Sequence, residues 1–227
     1  LGAKAYRLDG YPEMPDTSPR ELVDTLTPAA RKGDSHAALL IHLAINRCMR
    51  AHRDRGDADA LLIRAEALGS AEAALAEEAQ DIRQCSGLAR EDYAHVGDWL
   101  SLAADFGNPL AQLLYSMEPE MVMGSLADII REPERVIAYK TAALSHLKDA
   151  ASSGSVNALE RLGQVYADGI LAPADPVMAR AYKLAAARAD PAISLQEEEE
   201  SAAKLTASQQ ADAARIAKEI YRDCCEP

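Results

Sequence analysis

The sequence predicts an all-α fold, an α/α superhelical solenoid of stacked two-helix units, and three observations carry that prediction. Aromatic residues make up 4% of the chain against 48% hydrophobic overall, and the excess is largely alanine and leucine. Small side chains let helix axes approach closely, whereas a β-sandwich needs many more β-branched and aromatic residues. The second observation is the stretch Gly154 to Asp190, where small residues and single large anchors alternate at helical spacing across two segments joined by a Pro/Asp loop. That is how a two-helix unit looks when it stacks on copies of itself. The third is a short phrase that recurs: two alanines, two spacers, a glycine and an alanine four residues on. It stands at Ala29-Ala30/Gly33/Ala37, at Ala103-Ala104/Gly107/Ala111 and at Ala150-Ala151/Gly154/Ala158.

Each element follows in order. Residues 1–17 carry Gly10, Pro12 and Pro15 with little periodicity and read as an extended arm. Ser18 caps a helix with Pro19 at its first position, running to about Lys32 before Gly33. Ser35 to Met49 presents Ala38, Leu39, Ile41, Leu43 and Ile45 as a broad apolar face. Arg50–Gly56 is charged and loop-like. Asp57–Leu68 and Ala71–Gln84 form a pair broken at Gly69-Ser70, and Arg90–Phe106 and Asn108–Met117 form another that turns at Gly107. Residues 118–132 are an irregular insertion, broken by Pro119, Gly124 and Pro133, with a short helix at Ser125–Arg131. Pro133 opens a long helix to Ser153. Val156–Ala167 and Pro176–Ala189 complete the best-formed unit. After Pro191, Glu197–Glu200 reads as a solvated helix start, and Ser208 caps a final amphipathic helix. The expected organisation is an arm at 1–17, a solenoid at 18–190, and a linker with a capping helix at 191–227.

In the repeated phrase, the alanine pair presses one helix on its neighbours and the glycine ends it in a left-handed cap. The glycines are spaced by 74 and 47 residues, with 36 more to Asp190, which takes the glycine place in a fourth, terminal version. Two repeats fit the first interval, one repeat plus the 118–132 insertion fits the second, and one fits the last. The copy expected near 57–85 has lost the pattern.

Charge and composition exclude several functions. A formal charge of −12 repels a phosphate backbone, so no nucleic-acid partner is expected. No apolar run approaches the length of a transmembrane segment. The five histidines show no metal-ligand spacing, and no zinc-site cysteine pair, nucleophile elbow or phosphate loop is present. Gly33-Asp34-Ser35-His36 has the superficial look of a hydrolase motif, but its position makes Asp34 or Ser35 a helix N-cap. No cofactor and no catalytic residue is expected.

Four cysteines are present, Cys48, Cys85, Cys224 and Cys225. Cys48 and Cys85 lie near the ends of successive helical stretches and can be bridged in an oxidising compartment; in a reducing one they are two buried thiols. Arg47 and Arg50 flank Cys48, and a reactive thiol is a third reading. Cys224 and Cys225 are either a vicinal bridge or free. The chain starts at Leu1 rather than Met, the expectation being a mature form that has lost a leader. A periplasmic or secreted location follows from that reading, with the cytoplasm as the alternative.

Gly154, Ala158, Leu162, Gly163, Tyr166, Gly169, Asp175, Ala179, Tyr182, Ala186 and Ala187 resemble the pattern of the Sel-one-like repeat (SLR), an α/α relative of the tetratricopeptide repeat. Trp99, Ala103, Ala104 and Gly107 match the end of an earlier copy. The mid-helix glycine, Gly163, is replaced by His42 and Ser116 in the earlier copies, which are degenerate. The resemblance implies a non-enzymatic interaction module of the bacterial envelope whose first helices line a groove. Asn157, Glu160, Gln164 and Asp168 are then the partner-binding positions of the best copy, with Leu110, Leu113 and Met117 in the preceding one. A groove half apolar and half acidic suits a basic or amphipathic peptide or protein surface. Immunity or inhibitor proteins against secreted toxins occur among SLR relatives. The alternative is a disulfide-containing SLR protein with β-lactam-binding or hydrolase activity. Against it, cysteine-rich relatives carry a cysteine pair in each repeat and Gly154–Asp190 has none.

Overall fold

The computed structural model describes residues 1–195 and 204–226. The acidic run Glu197–Glu200 lies outside the described residues. Among them the chain is all-α: thirteen helices and no strand, apart from one isolated bridge between Tyr6 and Ser155. It divides into two compact units, one of Pro12–Phe106 and one of Leu1–Tyr11 with Gly107–Pro227.

In the unit of residues 12–106, α1 (Pro19–Ala30) starts where the Ser18 hydroxyl accepts from the Glu21 N–H. Helix α2 (Ser35–Arg53) starts at Asp34, whose carboxylate accepts from Ala37 N at 2.9 Å. The hydrolase-like tetrapeptide is thus a helix cap. Helix α2 also runs a full turn past Met49, because Ala51 is buried and Arg50, His52 and Arg53 oppose the negative end of the helix dipole. Leu39, Ile41 and Ile45 are sealed inside, and α1 and α6 (Val96–Asp105) pack on α2. His42 is buried beside them, its Nδ1–H donating to the Val96 carbonyl at 3.0 Å, so it is a core histidine satisfied by backbone. The stretch 90–106 is two helices rather than one, α5 (Arg90–Ala94) and α6. The break falls at His95, whose ring engages Asp98 at 2.7 Å just before the helix-weakening Gly97.

Helices α3 (Ala58–Leu68) and α4 (Ala71–Cys85) form a hairpin with very different footing. No residue of α3 is buried, and α4 buries only Ala74, Asp81 and Cys85. A disulfide joins Cys85 to Cys48 on α2, with Cα atoms 5.5 Å apart. Beside it the Arg47 guanidinium pairs with the Asp81 carboxylate.

In the other unit, α7 (Pro109–Tyr115) is followed by two short helices, α8 (Pro119–Met123) and α9 (Leu126–Arg131). Helix α8 is additional to the sequence expectation; Pro119 and Gly124 are its first residue and its end rather than breaks in a loop. Helix α10 (Glu134–Ser152) packs on α7, and Tyr139 donates to the Tyr115 carbonyl at 3.0 Å. Helices α11 (Val156–Asp168) and α12 (Pro176–Ala189) form the best-packed hairpin. A Cβ at Gly163 would sit 2.7 Å from Lys183 Cγ and 3.4 Å from the Ala179 carbonyl, so glycine permits this approach. Tyr166 and Tyr182 stack with centroids 5.7 Å apart. Ala181 and Ala185 on the next face of α12 meet Ala213 and Ala217 of α13 (Ala207–Cys225). Thr206, not Ser208, caps α13, in a reciprocal box with Gln209. A second disulfide joins the adjacent Cys224 and Cys225 at the end of this helix. No helix among the described residues is long and apolar enough to cross a membrane.

Candidate peptide-binding face of helix α11

The N-terminal arm lies on the α10–α11 turn and on the C-terminal ends of α12 and α13. Tyr6 N donates to the Gly154 carbonyl and Val156 N to the Tyr6 carbonyl, both at 3.0 Å. Gly2 N donates to Ala189 O and Lys4 N to Cys225 O. Backbone groups of an extended segment thus meet carbonyls and an amide that helix ends leave open. Gly154 is what allows this. Its φ is +100°, and a Cβ there would run into the Lys4 carbonyl. The glycine that the sequence pattern assigns to a helix cap is also the arm's seat.

Side chains then fix the register. Leu8 N donates to Asn157 Oδ1 at 2.8 Å, and Tyr6 shares a 2.9 Å hydrogen bond with Ser153. Arg7 reaches two carboxylates, Glu160 at 3.4 Å and Asp190, to which its Nε donates. Asp190 is buried and also accepts from Ala192 N at 3.0 Å. The Arg7 hydrogen bond, helped by that backbone donor, holds the Asp190 carboxyl below the usual carboxylate range, and Asp190 in turn raises the Arg7 guanidinium.

Of the seven groove positions expected from the sequence, Asn157 and Glu160 are half-buried and engaged by the arm. Gln164 and Asp168, farther along α11, are exposed; Asp168 accepts from Ile170 N at 2.8 Å and so also shapes the helix exit. Glu160 and Gln164 line a cleft of about 210 Å³ with Lys183, Ile193 and Leu195. Leu110 and Leu113 on α7 are half-buried, and Met117, just past that helix, is 55% exposed. Arg161 of α11 donates to the Ser116 carbonyl at 3.1 Å, which brings the end of α7 to α11. Of the seven positions, the arm's polar contacts among the described residues reach Asn157 and Glu160 and none of Leu110, Leu113 and Met117.

Sequence reasoning missed Tyr6, Arg7 and Asp190. A signal for one of them was present: Asp190 stands where the repeated phrase places glycine, and a carboxylate there has a partner to find. Among the described residues no group of three or more His, Cys, Asp or Glu side chains could hold a metal ion. Comparison with models of known protein families and with curated protein sequences finds no match for this chain.

Proposed function

We propose that this chain is a non-enzymatic protein-interaction module, related to the SLR proteins, whose α11 face takes an extended basic or amphipathic segment of a partner. The observation that carries the reading is the arm itself. An extended segment with one arginine pairs its backbone at Ser155 and sets its guanidinium against the Glu160 and Asp190 carboxylates. Recognition of this kind draws affinity from main-chain hydrogen bonds and specificity from alternate side chains. The arm is a built-in occupant, and Gln164, Asp168 and the adjoining cleft are the part of the face beyond it. A periplasmic or secreted setting accords with the Cys48–Cys85 bridge, since such bonds persist in oxidising compartments. Neutralising a secreted toxin is one role such a module performs among SLR relatives.

The test uses a fluorescent peptide with the sequence of residues 1–10, titrated against the chain lacking residues 1–8. Saturable binding that weakens at least tenfold in Glu160→Lys supports the reading. Absence of saturable binding, or binding indifferent to that substitution, refutes it.

A further inference from the structure

The stretch where the repeated phrase is lost is the α3–α4 hairpin, and the outer face of α3 carries a pattern of its own. Asp59, Leu62, Ile63 and Glu66 stand at i, i+3, i+4 and i+7, the spacing of one helical face. All four are exposed, Leu62 and Ile63 over more than half of their surface. Two branched apolar side chains are thus flanked by a carboxylate one turn away at each end. Neither of these carboxylates has an ion-pair partner among the described residues. Arg64, the single cation of α3, turns the other way, to Glu77 at 3.9 Å and Asp81 at 4.0 Å on α4. The face therefore keeps both its negative charge and its apolar centre. Helix α3 buries no residue, yet the Cys48–Cys85 bond and the Arg47–Asp81 pair fix α4, and α3 with it, to α2. A hairpin held in place without serving the core is suited to presenting a surface. Large apolar side chains gathered on one exposed face mark such interaction surfaces.

We propose that this face of α3 docks a basic amphipathic helix of another protein. The chemistry of the occupant follows from the charge. Asp59 and Glu66 are seven residues apart, about 10 Å along a helix that rises about 1.5 Å per residue. A partner helix lying alongside meets them with two Lys or Arg side chains at the same spacing. Apolar residues of the turn between those cations then pack on Leu62 and Ile63. The apolar pair supplies buried area, and the two ion pairs set register and orientation. A second copy of this chain is the wrong occupant, because α3 laid on α3 opposes carboxylate to carboxylate. An anionic lipid surface is repelled for the same reason. The face belongs to the unit of residues 12–106 and shares no residue with the α11 face, so this inference does not rest on the peptide-binding reading.

Fluorescence anisotropy of the full oxidised chain tests it with a labelled synthetic helix built on Lys-x-x-Leu-Leu-x-x-Lys, where x is alanine or glutamine. Two controls are a twin with glutamate for lysine and a scramble of the same composition. Saturable one-to-one binding is expected, at least tenfold tighter than either control. Leu62→Ser with Ile63→Ser should weaken it at least tenfold. Asp59→Lys with Glu66→Lys should do the same and bring on binding of the glutamate twin. Glu13→Lys with Asp16→Lys, an equal change of charge, and Glu160→Lys on the α11 face should each leave affinity within about twofold. Circular dichroism melts report that each variant is folded. No saturable binding, equal binding of a control, or undiminished affinity in the folded serine variant overturns the proposal. So does affinity lost in Glu160→Lys, which assigns the peptide to α11. A dimer in sedimentation, or flotation with phosphatidylserine vesicles, that the serine variant abolishes overturns it in favour of a second copy or a lipid surface. Should the serine variant fail to fold, an unchanged preference for lysine over glutamate in the Asp59→Lys, Glu66→Lys variant overturns it equally.

Discussion

The α11–α12 hairpin and the α3–α4 hairpin have similar lengths and alanine-rich compositions, yet they are held by different forces. Helix α11 buries six residues, among them Leu159, Leu162 and Gly163, whereas α3 buries none. Leu62 and Ile63 on α3 are 60% and 69% exposed. One hairpin is fixed by close packing through Gly163 and the stacked tyrosines. The other is fixed by a covalent bond and an ion pair on α4. The difference teaches where the proposed α11 binding face belongs: Asn157, Glu160 and Gln164 sit on the hairpin whose own core holds them in fixed register.

The largest effect that separates the two is truncation of matched leucines. Leu162→Ala is expected to cost about 2–5 kcal/mol in urea or thermal unfolding, and Leu62→Ala less than about 0.5 kcal/mol. Equal costs would break the comparison. Removal of the Cys48–Cys85 bridge comes next. The bonded cysteines are 37 residues apart, and loop-closure entropy gives a loss of about 3–4 kcal/mol for the double Cys→Ser variant. Gly154→Ala places an L side chain at φ +100° against the Lys4 carbonyl, for a loss of about 1–3 kcal/mol and release of the arm. Faster tryptic cleavage at Arg7 would report that release, and cleavage unchanged from wild type would speak against the arm's seat on the turn.

Two pH effects are smaller. Asp190 has its carboxyl depressed, so the arm's ion pair contributes fully above the ordinary carboxylate range and is lost as pH falls through the depressed value. Protection of the Tyr6 amide from hydrogen exchange should therefore persist at neutral pH and vanish in strong acid. Arg7→Gln should abolish that acid step. At the other extreme, burial pushes the phenols of Tyr139 and Tyr182 up to about 12. They stay neutral where an unfolded tyrosine ionises near pH 10, so their contribution is lost as pH rises from about 10 through about 12. Absorbance titration of Tyr182→Phe should lack one late phenol, and an unchanged late phase would show that the stack on Tyr166 does not bury it.

Much of the α11–α12 hairpin was legible because its physics is periodic. Alanine and glycine at helix contacts, with single aromatic anchors, leave a pattern at 3.6 residues. The arm's docking was not legible, since its backbone hydrogen bonds to Gly154, Ala189 and Cys225 leave no side-chain periodicity. Helix α3 carries Leu61, Leu62 and Ile63 in one run, yet Leu62 and Ile63 are exposed because the helix packs chiefly on α4. The extent of α2 and the break at His95 depended on burial of Ala51 and on the His95–Asp98 contact, which sequence periodicity does not report.

The most direct test of a packed face set against a stapled hairpin is amide hydrogen exchange on the full chain, wild type against the Cys48→Ser, Cys85→Ser double variant. The α3 and α4 amides should lose protection by about two orders of magnitude or more, while the α11 amides and the Tyr6 and Val156 pair stay as slow as in wild type. Loss of protection in α11 to the same degree, or undiminished protection in α3 and α4, would contradict it.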